Sequence, residues 1–165
     1  MKRFPDFMLR EKRSNYYLLE ISQFYYCFDF NKQLIEFSNY LSGNELTIES
    51  IGLEYYRDKC PPQYIKINTK KPMAHEDINN IYLIYLMVDY YIYDNTNKWE
   101  FFGSETQEIA VLGCDDDVKS NFEEIFQPYK EQSLVDKLKW LPIFNDEKYK
   151  QEYIATLCKN YGWKI

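Results

Sequence analysis

Aromatic rings constrain this chain more than any other feature: 17 Tyr, 11 Phe and 3 Trp make up 19% of its 165 residues. Rings at that density bury enough apolar surface to offset the entropy lost when a chain is ordered, which excludes a disordered protein. With only 5 Gly and 6 Pro, collagen-like and low-complexity chains are excluded as well. One domain over residues 1–165 is expected, and a domain of about 150 residues buries about 68–70% of its unfolded surface. Neither a cofactor nor a disulfide is needed to make a core.

The rings often come as neighbours: Tyr16-Tyr17, Tyr25-Tyr26, Glu54-Tyr55-Tyr56 and Asp89-Tyr90-Tyr91-Ile92-Tyr93-Asp94. Adjacent residues on a helix point about 100° apart, so such pairs cannot all face one interior. Some tyrosines are therefore expected at the surface, where the ring gives large contact area at low entropic cost. For any single ring, ordinary half-buried packing is an equally good reading.

Periodicity outlines the elements. Tyr17, Ile21, Phe24, Tyr25 and Phe28 recur at helical spacing, which favours a helix over Ser14 to Phe28, with a long strand as the alternative. Asp29 restarts a helix through Leu34, Ile35, Phe37 and Leu41, and Ser42-Gly43 supplies the stop, with Gly43 in the left-handed conformation. Leu46 to Ile51 and Tyr64 to Ile67 alternate apolar with polar, as half-buried strands do. Glu76-Asp77 suits a helix start, and Ile78 to Tyr93 fits a helix or a buried strand. Trp99 to Phe102 and Ile109 to Leu112 read as a hairpin across Gly103. Asp115-Asp116-Asp117 offers caps for Val118 to Phe126, with Phe122, Ile125 and Phe126 on one face. Ser133 and Asp136 form a capping-box pattern before Leu138, and Pro142 interrupts. Asn145 caps a last helix that carries Tyr149, Tyr153, Leu157 and Tyr161 and ends at Gly162. The fold class is α+β: helices at both ends packed on a small central antiparallel sheet.

Charge narrows the function. There are 26 Asp and Glu against 20 Lys and Arg, a net charge of −6. The corresponding pI is about 4.9. Phosphate contacts need a concentrated basic surface, so direct nucleic-acid binding is not expected. The longest apolar run, Ile81 to Val88, is far short of the ~20 residues that cross a bilayer, so no membrane partner is expected. Residues 1–14 carry Lys2, Arg3, Arg10, Lys12 and Arg13 without a secretory apolar stretch, and a cytoplasmic location is expected.

No catalytic, cofactor-binding or metal constellation emerges. Cys27, Cys60, Cys114 and Cys158 are too scattered for a CxxC site and read as buried free thiols. His75 is the only histidine, beside Glu76 and Asp77 at a helix start, where charge complementing the helix dipole explains the string. A calcium loop from Asp115 would need a ligand at Lys119, Gly at Ser120 and Glu at Phe126, and all three fail. The five glycines are scattered, so no phosphate-cradling loop is present. Asp117-Val118-Lys119 echoes the acid-x-Lys half of a metal-dependent nuclease site, with no identifiable partner acid.

The Met1-Lys2-Arg3 start, the acid excess, Glu54-Tyr55-Tyr56, Asp89 to Asp94 and Asp115 to Asp117 together resemble the bacterial immunity proteins of polymorphic-toxin and contact-dependent growth inhibition systems. The resemblance is one of whole-chain character and rests on no shared motif. It implies a cognate inhibitor that binds a toxin domain, often a basic nuclease and in some cases a tRNase, over its active site or an exosite. Carboxylates would then steer the encounter and tyrosines would anchor it. The candidate contacts are Asp89, Tyr90, Tyr91, Tyr93, Asp94, Asp115, Asp116, Asp117, Glu123 and Glu124. Three alternatives stay open: a phage-type acidic anti-defence inhibitor, a small metal-dependent nuclease or hydrolase using Asp117 and Lys119, and a structural subunit of a larger assembly.

Overall fold

The computed structural model describes residues 8–20, 28–51, 63–104, 109–126 and 146–163. Its frame is a six-stranded, wholly antiparallel sheet in the order β1-β6-β5-β4-β2-β3. The strands are β1 (Asn15–Glu20), β2 (Glu45–Ile51), β3 (Tyr64–Asn68), β4 (Asp89–Asp94), β5 (Trp99–Ser104) and β6 (Ile109–Cys114). The helices are α1 (Phe28–Tyr40), α2 (His75–Met87), α3 (Lys119–Phe126) and α4 (Glu147–Tyr161). The expected α+β class with an antiparallel sheet is what the chain adopts.

Burial explains the layering. Every residue of β5 and of β6 is buried, so both faces of the sheet's β1-β6-β5 half must be covered. On one face Trp99, Phe101, Ala110, Leu112 and Cys114 meet Phe30, Leu34 and Phe37 of α1, Ile81, Ile84 and Tyr85 of α2, and Phe122 of α3. On the other, Phe102, Ile109, Val111 and Leu18 meet Tyr153, Ile154, Leu157, Cys158 and Tyr161 of α4. Phe122 is fully buried and stacks on Phe126 at 4.7 Å, with Phe37 at 5.7 Å and Tyr17 at 4.7 Å.

The helix expected over Ser14 to Phe28 is corrected for its first part: Asn15–Glu20 is strand, and residues 21–27 lie outside the described set. Tyr17 and Leu19 reach one core while Tyr16 and Leu18 reach the other, a two-sided demand that only period-two geometry meets. Pairing along the whole of β6 satisfies the strand's inner backbone groups. The Ile78 to Tyr93 segment is helix and then strand, breaking at Val88, whose φ of −143° and ψ of 161° are extended. Beyond it Tyr90 and Ile92 face α1 and α2, while Tyr91 turns the opposite way.

The stops differ in detail. Ser42, at φ 65°, takes the left-handed position after α1, not Gly43. The Gly43 N–H donates to the Ser38 carbonyl at 2.7 Å, and that of Ser42 to Asn39 at 3.0 Å, the paired bonds of a Schellman end. Gly43 is needed for closeness: a Cβ there would stand 2.9 Å from the Ser38 carbonyl oxygen and 2.8 Å from the Asp94 carboxylate. Gly103 lies within β5, not in the hairpin turn. At α3 the Asp115 cap position makes no side-chain cap bond, and Asp116–Val118 forms a short 3₁₀ turn ahead of the helix. At α4 the cap is Asp146, whose carboxylate accepts from the Lys148 and Tyr149 N–H groups, and Gly162 closes the helix at φ 73°. The expected Asn145 cap, the Ser133/Asp136 pattern, Leu138, Pro142, Cys27, Cys60 and Glu54-Tyr55-Tyr56 lie outside the described residues.

Because α3 is held chiefly through one ring, Phe122→Ala is expected to lower the unfolding free energy by about 3–5 kcal/mol, read from urea melts. A loss below about 1 kcal/mol would show that α3 is not anchored there.

Candidate functional site

Among the described residues, helix α4 packs on the second face of the sheet mainly over β1, β6 and β5, its cluster touching Ile51 of β2 and Tyr91 of β4 at the margin. On the same face, β4, β2 and β3 present Tyr91 and Tyr93, then Glu45, Thr47 and Glu49, then Tyr64 and Lys66. The register sets these in rows. Tyr64 lies opposite Glu49, and Glu49 opposite Tyr91; Lys66 lies opposite Thr47, Thr47 opposite Tyr93, and Tyr93 opposite Glu100. Directly opposed residues on one face have Cβ atoms about 4.5–5.5 Å apart, so each row is a line of neighbouring side chains.

A strap, residues 8–13, runs along the boundary between this surface and α4. Gly113 lets it lie close, since a Cβ there would be 2.6 Å from Leu9 Cδ1 and 2.9 Å from Arg13 Cγ. The Met8 N–H donates to the Tyr161 hydroxyl at 2.9 Å, and the Tyr91 hydroxyl donates to the Met8 carbonyl at 2.6 Å. Arg10 is the centre of the cluster. Its backbone N–H and its Nε donate to the two oxygens of Glu100, a carboxylate only 2% exposed. Its Nη1 donates to Glu49 at 3.3 Å, and its guanidinium carbon sits 3.9 Å from the centre of the Tyr93 ring. Burial works against the Arg10 charge, but hydrogen bonding and the nearby Glu100 charge outweigh it and hold the pKa above the ordinary value. Burial, reinforced by the Glu100 charge, pushes the Tyr91 hydroxyl up to about 12, so it stays a neutral donor at physiological pH.

The expected contacts do not form one face. Tyr90 is fully buried, stacked 4.7 Å from Tyr85, and is corrected from anchor to core. Asp94 is buried too, its Oδ1 accepting from the Thr96 N–H in the β4–β5 turn, and is likewise removed from the surface. Tyr91 and Tyr93 lie on the open half of the second face. Asp89 sits at the opposite end of β4, beside Ile51. Asp115, Asp116 and Asp117 gather at the end of the sheet where β6 finishes and β5 begins, each with a donor: Arg13 at 3.4 Å, Asn15 at 2.8 Å and Lys98 respectively. Glu123 accepts from Tyr17 at 2.8 Å, and Glu124 is exposed on α3. Arg10, Glu49, Tyr64 and Glu100 join the cluster although the sequence reading passed over them. The signal for Glu49 and Tyr64 was present, because alternating strands place them on the polar side. Nothing local marked Arg10.

Chemically this surface sets rings and carboxylates side by side, and it holds the guanidinium of Arg10 with them. Asp117 and Lys119 are not brought together: Asp117 pairs with Lys98, and Lys119 lies 3.9 Å from Glu123. His75 is exposed at the start of α2. Burial and the Asp115 and Glu123 charges push the Cys114 thiol up to about 12, which leaves it protonated near neutral pH. Among the described residues no group of three or more His, Cys, Asp or Glu side chains is placed to hold a metal ion. Among those residues, too, no helix is long and apolar enough to cross a membrane. No family model matches the chain, nor does any curated protein or solved structure.

Truncating Arg10 leaves the Glu100 carboxylate in place with a single backbone donor, whereas Glu100→Gln removes the buried charge itself. Arg10→Ala is therefore expected to lower stability by about 2–3 kcal/mol and Glu100→Gln by less, since an unpaired buried charge costs more than a neutral amide. Urea melts that reverse this order would show that the ion pair does not organise the strap.

Proposed function

We propose that this chain is a cognate immunity protein that binds a basic toxin domain and neutralises it by protein–protein contact. A toxin nuclease has to be basic where it holds phosphates, so an inhibitor with a net charge of −6 is drawn to that surface. The observation that carries the reading is the composition of the half-face that α4 leaves open among the described residues. Two carboxylates (Glu45 and Glu49) and three tyrosines (Tyr64, Tyr91 and Tyr93) share it with two cations, Arg10 and Lys66, and a third carboxylate, Glu100, lies buried beneath Arg10. Tyr64 remains 49% exposed, an anchor ring not used by the core.

Placement on paired strands supports such a role, because contacts held on strands lose little entropy on binding. Tyrosine is among the residues enriched at the energetic centres of interfaces, and carboxylates around it add charge selectivity. The Asp115–Asp117 cluster, paired with Arg13, Asn15 and Lys98, adds to the long-range field more than to direct contact. In this reading the protein acts in the cytoplasm of the producing cell, where its partner would otherwise cleave nucleic acid.

The test is co-expression with the C-terminal domain of a large secreted protein encoded immediately upstream. That domain is expected to arrest growth alone and to be harmless with this chain. In stopped-flow mixing, the association rate is expected to fall steeply between about 50 and 500 mM salt, since steering is screened over a Debye length of about 10 Å at 0.1 M. No rescue, or cleavage of RNA or DNA by the purified chain with Mg²⁺ that disappears in Asp117→Asn, would contradict the reading.

A further inference from the structure

We propose that Glu49 and Tyr64, side by side on β2 and β3, form a seat for an arginine side chain supplied by the basic partner. The inference rests on the reading of the chain as a binder of a basic protein and names the group its surface takes. The sheet already holds one guanidinium by this chemistry: Arg10 lies over the Tyr93 ring at 3.9 Å and bonds to Glu100 and Glu49. One column further along the sheet the same pair of residue types recurs, with no arginine of the described chain upon it.

Glu49 is built to serve both columns. Its Oε2 accepts from Arg10 Nη1 and from the Tyr93 hydroxyl, each at 3.3 Å. Its Oε1 accepts no hydrogen bond among the described residues, and the side chain is 25% exposed. Tyr64 lies directly opposite Glu49 across the strand pair and is 49% exposed. Lys66 does not fill the seat, because it bonds to Glu45 at 2.7 Å on the far side of the patch. Arginine fits better than lysine for two reasons. Its planar fork can bond a carboxylate while its face stacks on a ring, and it is the more weakly hydrated cation. Tyr64, Glu49 and, on the diagonal, Tyr93 would then hold two guanidinium groups, one from the strap and one from the partner.

The probe is an end-blocked hexa-arginine peptide, compared with hexa-lysine, titrated into the full chain by calorimetry and by amide NMR. Hexa-arginine is expected to shift the amides of Glu49, Tyr64 and Tyr93 and to bind about tenfold tighter than hexa-lysine. Tyr64→Ala and Glu49→Gln should each weaken it about five- to tenfold, the scale of one cation–ring contact or one charged hydrogen bond. Tyr64→Phe should bind as the parent does, since stacking does not need the hydroxyl. Undiminished binding by Tyr64→Ala, whose exposed ring can be lost without unfolding the sheet, would overturn the seat. So would shifts confined to residues 115–124, or equal binding of the two peptides. A Tyr64→Ala chain that still protects cells undiminished in co-expression would remove the seat and leave neutralisation standing. Absence of protection by the parent chain would remove neutralisation, with the peptide titration still judging the seat.

Discussion

The structure depends on the double burial of β5 and β6. A strand that hides all six side chains cannot sit at the surface of a two-layer fold, so helices have to lie on both sides of it. Three helices supply one cover and α4 the other. One helix spans about 10 Å with its side chains, roughly the width of two or three strands, so among the described residues α4 and the strap leave part of that face of the six-stranded sheet open. The remainder of that face has to be stable against water, and the sequence meets the requirement with Glu, Thr, Lys and Tyr in place of Leu and Val. Among the described residues the open half-face thus follows from a single helix lying on that side of six strands.

The strap links the covered and open halves. Its Arg10 enters a niche made by Glu100 and Tyr93 and keeps the Glu100 carboxylate from being an unpaired charge in a near-dry site. The same contact fixes Glu49 and Tyr93 in orientation, so that the polar surface is preorganised before any partner arrives. In the proposed reading, loss of the strap's guanidinium would therefore affect both folding and recognition, and changes at Tyr64 would act on recognition alone.

Much of the fold was legible where one period dominated. Leu46 to Ile51, Tyr64 to Ile67 and the Phe122/Ile125/Phe126 face each have one dominant apolar side, and periodicity reports that directly. It misled where strands are buried on both faces. In Tyr16-Tyr17-Leu18-Leu19 no polar residue marks an outside, and aromatic spacing mimicked a helix. Ile78 to Tyr93 hid a boundary at Val88 because helix and strand there are equally apolar. The candidate contacts fared according to face. Tyr91 and Tyr93 reach the open surface, while Tyr90 and Asp94, one residue out of phase, point into the core. Adjacency in sequence is opposition in a strand, a consequence of period two that charge and aromatic counting cannot see. Arg10 was invisible for a different reason: its partners are 39 and 90 residues away.

The central claim is that the uncovered half-face, and not the acidic turn at Asp115–Asp117, meets the partner. Hydrogen–deuterium exchange of this chain, alone and bound to the proposed toxin partner, tests that most directly. Slowed exchange is predicted across residues 45–49, 64–68 and 10–13, strongest along β3, which lies at the edge of the described sheet. Protection confined to residues 115–124 or to α4, with β3 unchanged, would contradict the account.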